Sequence, residues 1–173
     1  MAERIFLALG SDLGDRLSYL QQAVDKLSRT EGLSLIKKSS VYRTLAWGVR
    51  DQTDYYNAVI EMLCQPCAPQ LLQTVQRIEL DLGRERHHKW AARTLDIDIL
   101  LFGGQQLESE DLTVPHPLLS QRLFVLCPLA ELAPEMVVPG LGRVDVLLQK
   151  QLQYEKKENI KNKIEQILLP SQW

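Results

Sequence analysis

Residues 93–103 read RTLDIDILLFG, an apolar run interrupted by two aspartates at alternate positions. Side chains alternate faces along a strand, so Asp96 and Asp98 share one face while Leu95, Ile97, Ile99 and Leu101 share the other. Aspartate is depleted in strands, and two carboxylates about 7 Å apart repel one another. A positive charge is therefore expected over them. Aspartates can also merely discourage aggregation on a solvated edge strand, but the apolar neighbours on both faces weigh against that. A hard divalent ion held by one or two carboxylates, with water and substrate phosphates completing its shell, is the usual setting of magnesium.

Outward from this strand, the chain alternates periods. Arg4–Leu9 predicts a strand stopped by Gly10, and Asp15 caps a helix whose stripe is Leu17, Leu20, Val24 and Leu27. Leu33–Tyr42 and Tyr55–Leu63 read as extended, with Arg43–Asp54 a loop between them. Pro69 suits the first turn of a second helix, striped by Leu71, Val75, Ile78 and Leu82 and stopped by Gly83. The order β-α-β-β-α-β predicts an α+β fold with a ferredoxin-like core. Val114-Pro115-His116-Pro117 is a rigid connector, and Arg122–Leu132 adds a helix. The polar tail from Gln149 carries Ile160, Ile164, Ile167 and Leu168 at helical spacing. It is expected to be helical and packed on the same body, so that residues 1–142 form the main domain and 143–173 an extension.

The 173 residues fit one domain, and a composition 45% hydrophobic and 24% charged is that of a chain with a real core. A net charge of −2 offers no global basic field for nucleic acid or membrane. With no apolar run long enough to span a bilayer and no signal-peptide pattern, a cytoplasmic location is expected. Three cysteines are too few for a disulfide framework, and Cys64-Gln-Pro-Cys67 reads as a turn with two unreactive thiols.

Charge is nonetheless concentrated locally. Arg84, Arg86, Lys89 and Arg93, with two of the three histidines, fall in ten residues just before the aspartates. Guanidinium forks grip phosphate oxygens, and phosphate-type arginines next to magnesium-type carboxylates are what polyphosphate transfer requires. Gln76 and Glu79 share a helix face and can reach a base or ribose, yet by themselves read as ordinary solvent-facing residues. Tyr55, Asn57 and Val59 share one strand face. Asparagine can address the amide edge of a heterocycle, and Tyr55 or Phe124 can stack on a ring, although both aromatics also suit a core. Gly10-Ser11-Asp12-Leu13-Gly14-Asp15 lacks the ending of a P-loop and reads as a tight turn.

Together these pieces resemble the 6-hydroxymethyl-7,8-dihydropterin pyrophosphokinase family of folate biosynthesis, which transfers pyrophosphate from ATP to a pterin alcohol. LALGSDLGDR, VYRT, WG, DQTDYYNAV, QRIELDLGRER, KWAARTLDIDILLFG and LTVPHPLLSQRLFVLCPLAELAPE occur in family order between about Ile5 and Pro139. RTLDIDILLFG followed by VPHP is the most specific of them. The resemblance implies that Asp96 and Asp98 hold Mg2+ against ATP, and that Arg84, Arg86 and Arg93 belong to a catalytic loop and its end. It implies nucleotide contacts for Gln76, Glu79, Trp90, Ile99, His116 and Arg122. Tyr55 and Phe124 would sandwich the pterin, Asn57 would read its pyrimidine edge, and Thr44 and Trp90 would complete its surroundings. The chain departs from the family pattern at Leu45-Ala46, where relatives carry proline, at Asp12, where they carry asparagine, and at Trp47, usually aliphatic.

Two rivals come from other classes. A ferredoxin-like module reading RNA would show an aromatic run on a central strand, which is missing here. A metal-dependent phosphohydrolase would use the same aspartates without a pterin.

Overall fold

The computed structural model describes residues 1–44, 54–83, 94–160 and 163–173. Strand β1 (Glu3–Ser11) leads into helix α1 (Arg16–Ser28), where the Asp15 carboxylate accepts from the Ser18 N–H at 3.1 Å and so caps the first turn. There follow β2 (Leu33–Lys38), β3 (Val41–Thr44), β4 (Tyr55–Cys64), α2 (Ala68–Asp81) and β5 (Asp96–Phe102). Helix α2 begins with Pro69 in its first turn and stops where Gly83 takes a φ of +86°. A two-stranded ribbon, β6 (Leu107–Glu108) and β7 (Thr113–Val114), precedes α3 (Leu123–Leu132). A second ribbon, β8 (Val137–Val138) and β9 (Gly142–Arg143), leads to α4 (Val144–Lys157) and β10 (Ile164–Leu168).

The main sheet has six strands in the order β10-β3-β4-β1-β5, with β2 also on β4, and every pair is antiparallel. Because β1 occupies one edge of β4, β2 and β3 share the other, β2 along Ile60–Cys64 and β3 along Tyr55–Asn57. The expected single segment Leu33–Tyr42 is thus two strands broken at Ser39–Ser40. The break is held by side chains standing in for backbone. Ser39 N donates to Val59 O at 2.9 Å, Val59 N donates to Ser39 Oγ at 2.9 Å, and Ser40 N donates to the Glu131 carboxylate of α3 at 3.0 Å.

Helices cover both faces. Ile5, Leu7 and Leu9 of β1 pack with Ala58, Ile60 and Met62 of β4 against Leu20, Leu27, Leu71 and Val75 of α1 and α2. Phe6 and Val59 point the other way, onto Val125, Leu126 and Leu129 of α3 and Val144 and Leu147 of α4. Strand β5 corrects one expectation. Its pairing with β1 slips between Phe6 and Leu7, so Phe6 faces Leu101 while Leu7 faces Ile99. Leu100 is the extra residue of a β-bulge, which shifts the alternation by one. Leu101 therefore joins Leu100 in the α3/α4 layer, on the aspartates' face, while Phe102 returns to the layer of Ile97 and Ile99.

The tail is the second correction. Helix α4 is present, but the apolar spacing after Ile160 forms a strand, β10, pairing with β3 from Ile164↔Thr44 to Leu168↔Val41. Asn159 turns the chain at φ +56° after α4, and the outer edge of β3 supplies a ladder that a helix would leave unused. Trp173 closes the tail, 7% exposed, with its indole N–H donating to Ser39 O at 2.9 Å.

An ion pair joins β1 to β4. Arg4 Nε donates to the Glu61 carboxylate, whose side chain is 4% exposed against 50% for Arg4. Removing the arginine leaves a carboxylate that has little access to water. Arg4→Met is expected to lower stability by about 2 kcal/mol, below the full cost of a buried pair because Arg4 is half in solvent. Chemical denaturation of the two proteins side by side reads this directly, and an unchanged midpoint would refute it.

Candidate active site

Of the residues singled out from sequence, Thr44, Tyr55, Asn57, Asp96, Asp98, His116, Arg122 and Phe124 gather on the α3/α4 side, near the end of β1. The antiparallel register sets Thr44 opposite Tyr55, Asn57 opposite Gly10, and Gly10 opposite Asp96. One row further along, Val59, Ala8 and Asp98 lie side by side. Opposed residues share a face, so Asn57 and Tyr55 stand on one side of a shallow groove and the two aspartates on the other. Gly10 and Ala8 form its floor. A Cβ at Gly10 would come within 3.3 Å of Asn57 Oδ1, so the glycine leaves room for that amide. Asn57 is 7% exposed and its Nδ2 donates to Thr44 Oγ1 at 3.1 Å, fixing which way the amide oxygen points. Neither floor residue was expected at the site from sequence, and Gly10, expected to stop the strand, instead lies within β1, paired on both sides. The only signal was the small residues of Ala8-Leu9-Gly10 at strand spacing.

Asp98 is the electrostatic centre of the groove. His116 Nε2 and Arg122 Nη1 each lie 3.8 Å from its Oδ2. His116 is positioned by its own loop, its N–H donating to Leu100 O at 3.0 Å after a cis Val114–Pro115 bond. Its Nδ1 accepts from the Leu118 N–H at 3.1 Å, so the neutral ring carries its proton on Nε2, toward Asp98. Burial lowers the His116 pKa; Asp98 pulls it up, Arg122 pushes it down, and Asp96 pulls it up again. Arg122 stands at the start of α3, its guanidinium carbon 5.6 Å from the centre of the Phe124 ring. Phe124 packs against the α3/α4 core from its edge.

Gln76, Glu79 and Ile99 sit in the α1/α2 layer, around β5. Glu79 corrects the solvent-facing reading: it is 2% exposed, and its Oε1 accepts from the Ile97 N–H at 2.7 Å. That N–H points away from β1, so Glu79 closes a backbone donor on the outer edge of β5. By the two-residue period the N–H and C=O of Ile99 point to the same edge, while its side chain is core. Gln76 is half-buried on α2. Arg84, Arg86, Trp90 and Arg93 lie outside the described residues, as do Leu45, Ala46 and Trp47.

Among the described residues no group of three or more His, Cys, Asp or Glu is arranged to hold a metal. The donors present are the two carboxylates, hard oxygen ligands of the sort magnesium takes when phosphates and water complete its shell. Cys64, Cys67 and Cys127 are free thiols, and burial pushes Cys64 and Cys127 up to about 11, which keeps both protonated and inert. Clefts of about 410 and 430 Å3 lie elsewhere, the first lined by Arg16, Tyr56 and Ile167, the second by Gln121, Gln151 and Glu155. Neither is lined by a residue expected from sequence to bind metal, nucleotide or pterin.

Carboxylates, an arginine and a histidine on one bank of a groove, facing an amide and an aromatic ring on the other, have the make-up of a two-substrate transferase. The family described as 7,8-dihydro-6-hydroxymethylpterin-pyrophosphokinase (HPPK) matches residues 6–134, and the chain belongs to that family. A 2-amino-4-hydroxy-6-hydroxymethyldihydropteridine pyrophosphokinase of Bacillus subtilis strain 168 is 44% identical over 131 residues, covering 76% of this chain and 78% of the relative. The protein of that name from Aquifex aeolicus strain VF5 is 36% identical over 155 residues, covering 90% and 91%. Among solved structures, a Plasmodium falciparum HPPK-DHPS triple mutant with SDX-DHP superposes with a TM-score of 0.75 at 16% identity over 94% of this chain. The likeness is one of fold, and the chain spans 46% of that longer protein. No described helix is long and apolar enough to cross a membrane.

Proposed function

We propose that the chain transfers the pyrophosphoryl group of ATP to the hydroxymethyl oxygen of 6-hydroxymethyl-7,8-dihydropterin, leaving AMP, as a step of folate biosynthesis in the cytoplasm. Membership of the pyrophosphokinase family over residues 6–134, with relatives of that name at 36–44% identity, carries the reading. We read the core as ferredoxin-like, with β2 and β3 acting as one broken strand. The spatial order β5-β1-β4-β2/β3 supports this. Residues 1–142 would hold the chemistry and 143–173 form an extension.

In this reading the two banks of the groove divide the substrates. Asn57 addresses the pyrimidine edge of the pterin, Tyr55 and Phe124 flank its ring, and Thr44 orients the amide of Asn57. The outer edge of β5 offers the Ile99 backbone to adenine, with Gln76 and Glu79 beneath it. Asp96 and Asp98 would hold Mg2+, and the small floor at Ala8 and Gly10 leaves the carboxylates open on that side. A bound magnesium ion supplies charge neutralisation to the phosphates. His116, with its proton on Nε2, and Arg122 donate to phosphate oxygens, joined by Arg84, Arg86, Trp90 and Arg93 of the sequence segment preceding β5. Such transfer depends on alignment and charge more than on covalent help, and no general base is assigned.

Incubation with ATP, magnesium and the hydroxymethyl pterin should yield AMP and pterin diphosphate in equal amounts, without ADP. Pterin-independent release of ADP and phosphate at a similar rate would replace this reading with the phosphohydrolase one.

A further inference from the structure

The reverse side of the pterin bank carries a charged network that the transfer chemistry does not use. Arg43 lies opposite Tyr56 on β4 and opposite Glu165 on β10, so it points to the α1/α2 face, away from Thr44 and Asn57. Its Nη2 is 2.5 Å from Glu165 Oε2, and its Nε is 3.8 Å from Asp54 Oδ2. Arg16, which stacks 4.3 Å above the Tyr56 ring, donates to the Asp54 carbonyl. Asp54 immediately precedes Tyr55, and Arg43 immediately precedes Thr44. The C-terminal strand, beyond the family-matched residues, thus grips the two residues that introduce the pterin bank.

We propose that β10, through the Glu165–Arg43–Asp54 network, positions Thr44, Tyr55 and Asn57 for the pterin, so that Glu165 and Arg43 are positioning residues for the acceptor substrate. This rests on the transfer reading above. Strand β3 has four residues and three register pairs with β4. Without β10 it would be a short edge strand, the kind of element that opens locally at small cost. With β10 its outer edge is paired from Val41 to Thr44, and Ile164 stands opposite Thr44 itself. Thr44 Oγ1 is the acceptor that orients the Asn57 amide, so freedom in β3 becomes freedom in the group that reads the ring. In the sheet, β3 and β10 are separated from β5 by β4 and β1. The network's influence therefore falls on one substrate and not the other.

The test is a charge series at Glu165 in the full-length chain: Glu165→Asp, Glu165→Gln and Glu165→Lys. Pterin and ATP-analogue affinities are measured separately by fluorescence titration, with steady-state KM for each substrate. Loss of one exposed ion pair in Glu165→Gln should weaken pterin binding about threefold. The like charge in Glu165→Lys should take this to about fivefold or more. Glu165→Asp should recover most of the wild-type value, and ATP-analogue affinity and kcat should stay within a factor of about two throughout. Equal losses for both substrates, or no loss in Glu165→Lys, would overturn the positioning role. Failure of the wild-type chain to bind pterin at all would overturn the transfer reading and this proposal with it.

Discussion

Replacing Asp98 with alanine should lower turnover about a thousandfold, with Asp96→Ala of similar effect, while pterin affinity stays near that of the unaltered chain. Asp98 faces both His116 Nε2 and Arg122 Nη1, so in the proposed reading its loss would remove a metal ligand and the anion that orients two donors to phosphate. Asn57 and Tyr55, on the opposite bank, are untouched. Relief of like-charge repulsion on one strand face should leave the ligand-free fold no less stable. Single-turnover AMP formation over a range of magnesium concentrations, beside a separate pterin titration, distinguishes these effects. Near-normal turnover in either variant would remove that carboxylate from the metal assignment.

The second large effect is expected at the groove floor. Gly10 has no unusual backbone angle, so a larger residue is tolerated by the strand itself. Its Cβ, however, would press on Asn57 Oδ1 at 3.3 Å, and a branched side chain would fill the gap between Asn57 and Asp96. Gly10→Ala should raise the pterin KM about tenfold and Gly10→Val about a hundredfold, because misaligned polar groups in a recognition site are heavily penalised. Melting temperatures should move by only a few degrees, since valine suits a central strand. Comparable pterin KM values in all three proteins would show that the floor does not shape the acceptor site.

Much of this arrangement was legible in the sequence where local periodicity and tertiary context agree. Asp15, Pro69 and Gly83 marked helix ends by chemistry that acts within one turn, and RTLDIDILLFG announced a strand and its charged face. What escaped notice depends on partners distant in the chain. The break at Ser39–Ser40 needs Val59 and Glu131 to satisfy it, from 20 and 91 residues away. The tail has apolar residues that serve a helix or a strand equally, and only the open edge of β3 decides between them. Glu79 read as solvent-facing because its partner is a backbone N–H 18 residues on. The aspartates were found by their chemistry, whereas the glycine that makes space between them and Asn57 has no chemistry to find.

The bulge at Leu100 makes β5 a strand with two reading frames. Ahead of it, the face toward α3 and α4 is polar and belongs to the groove; behind it, the same face is filled by Leu101 and is part of the core. A uniform strand could not join these without sending either the carboxylates or a leucine to the wrong layer. The distance along the chain from Asp98 to Phe102 is consequently fixed in number more strictly than in kind. Leucine at position 100 or 101 can give way to another apolar residue of similar size, but a single-residue deletion there would put the two halves of β5 out of step. Behind the aspartates, the number of residues in β5 is a stricter requirement than which apolar side chains fill it.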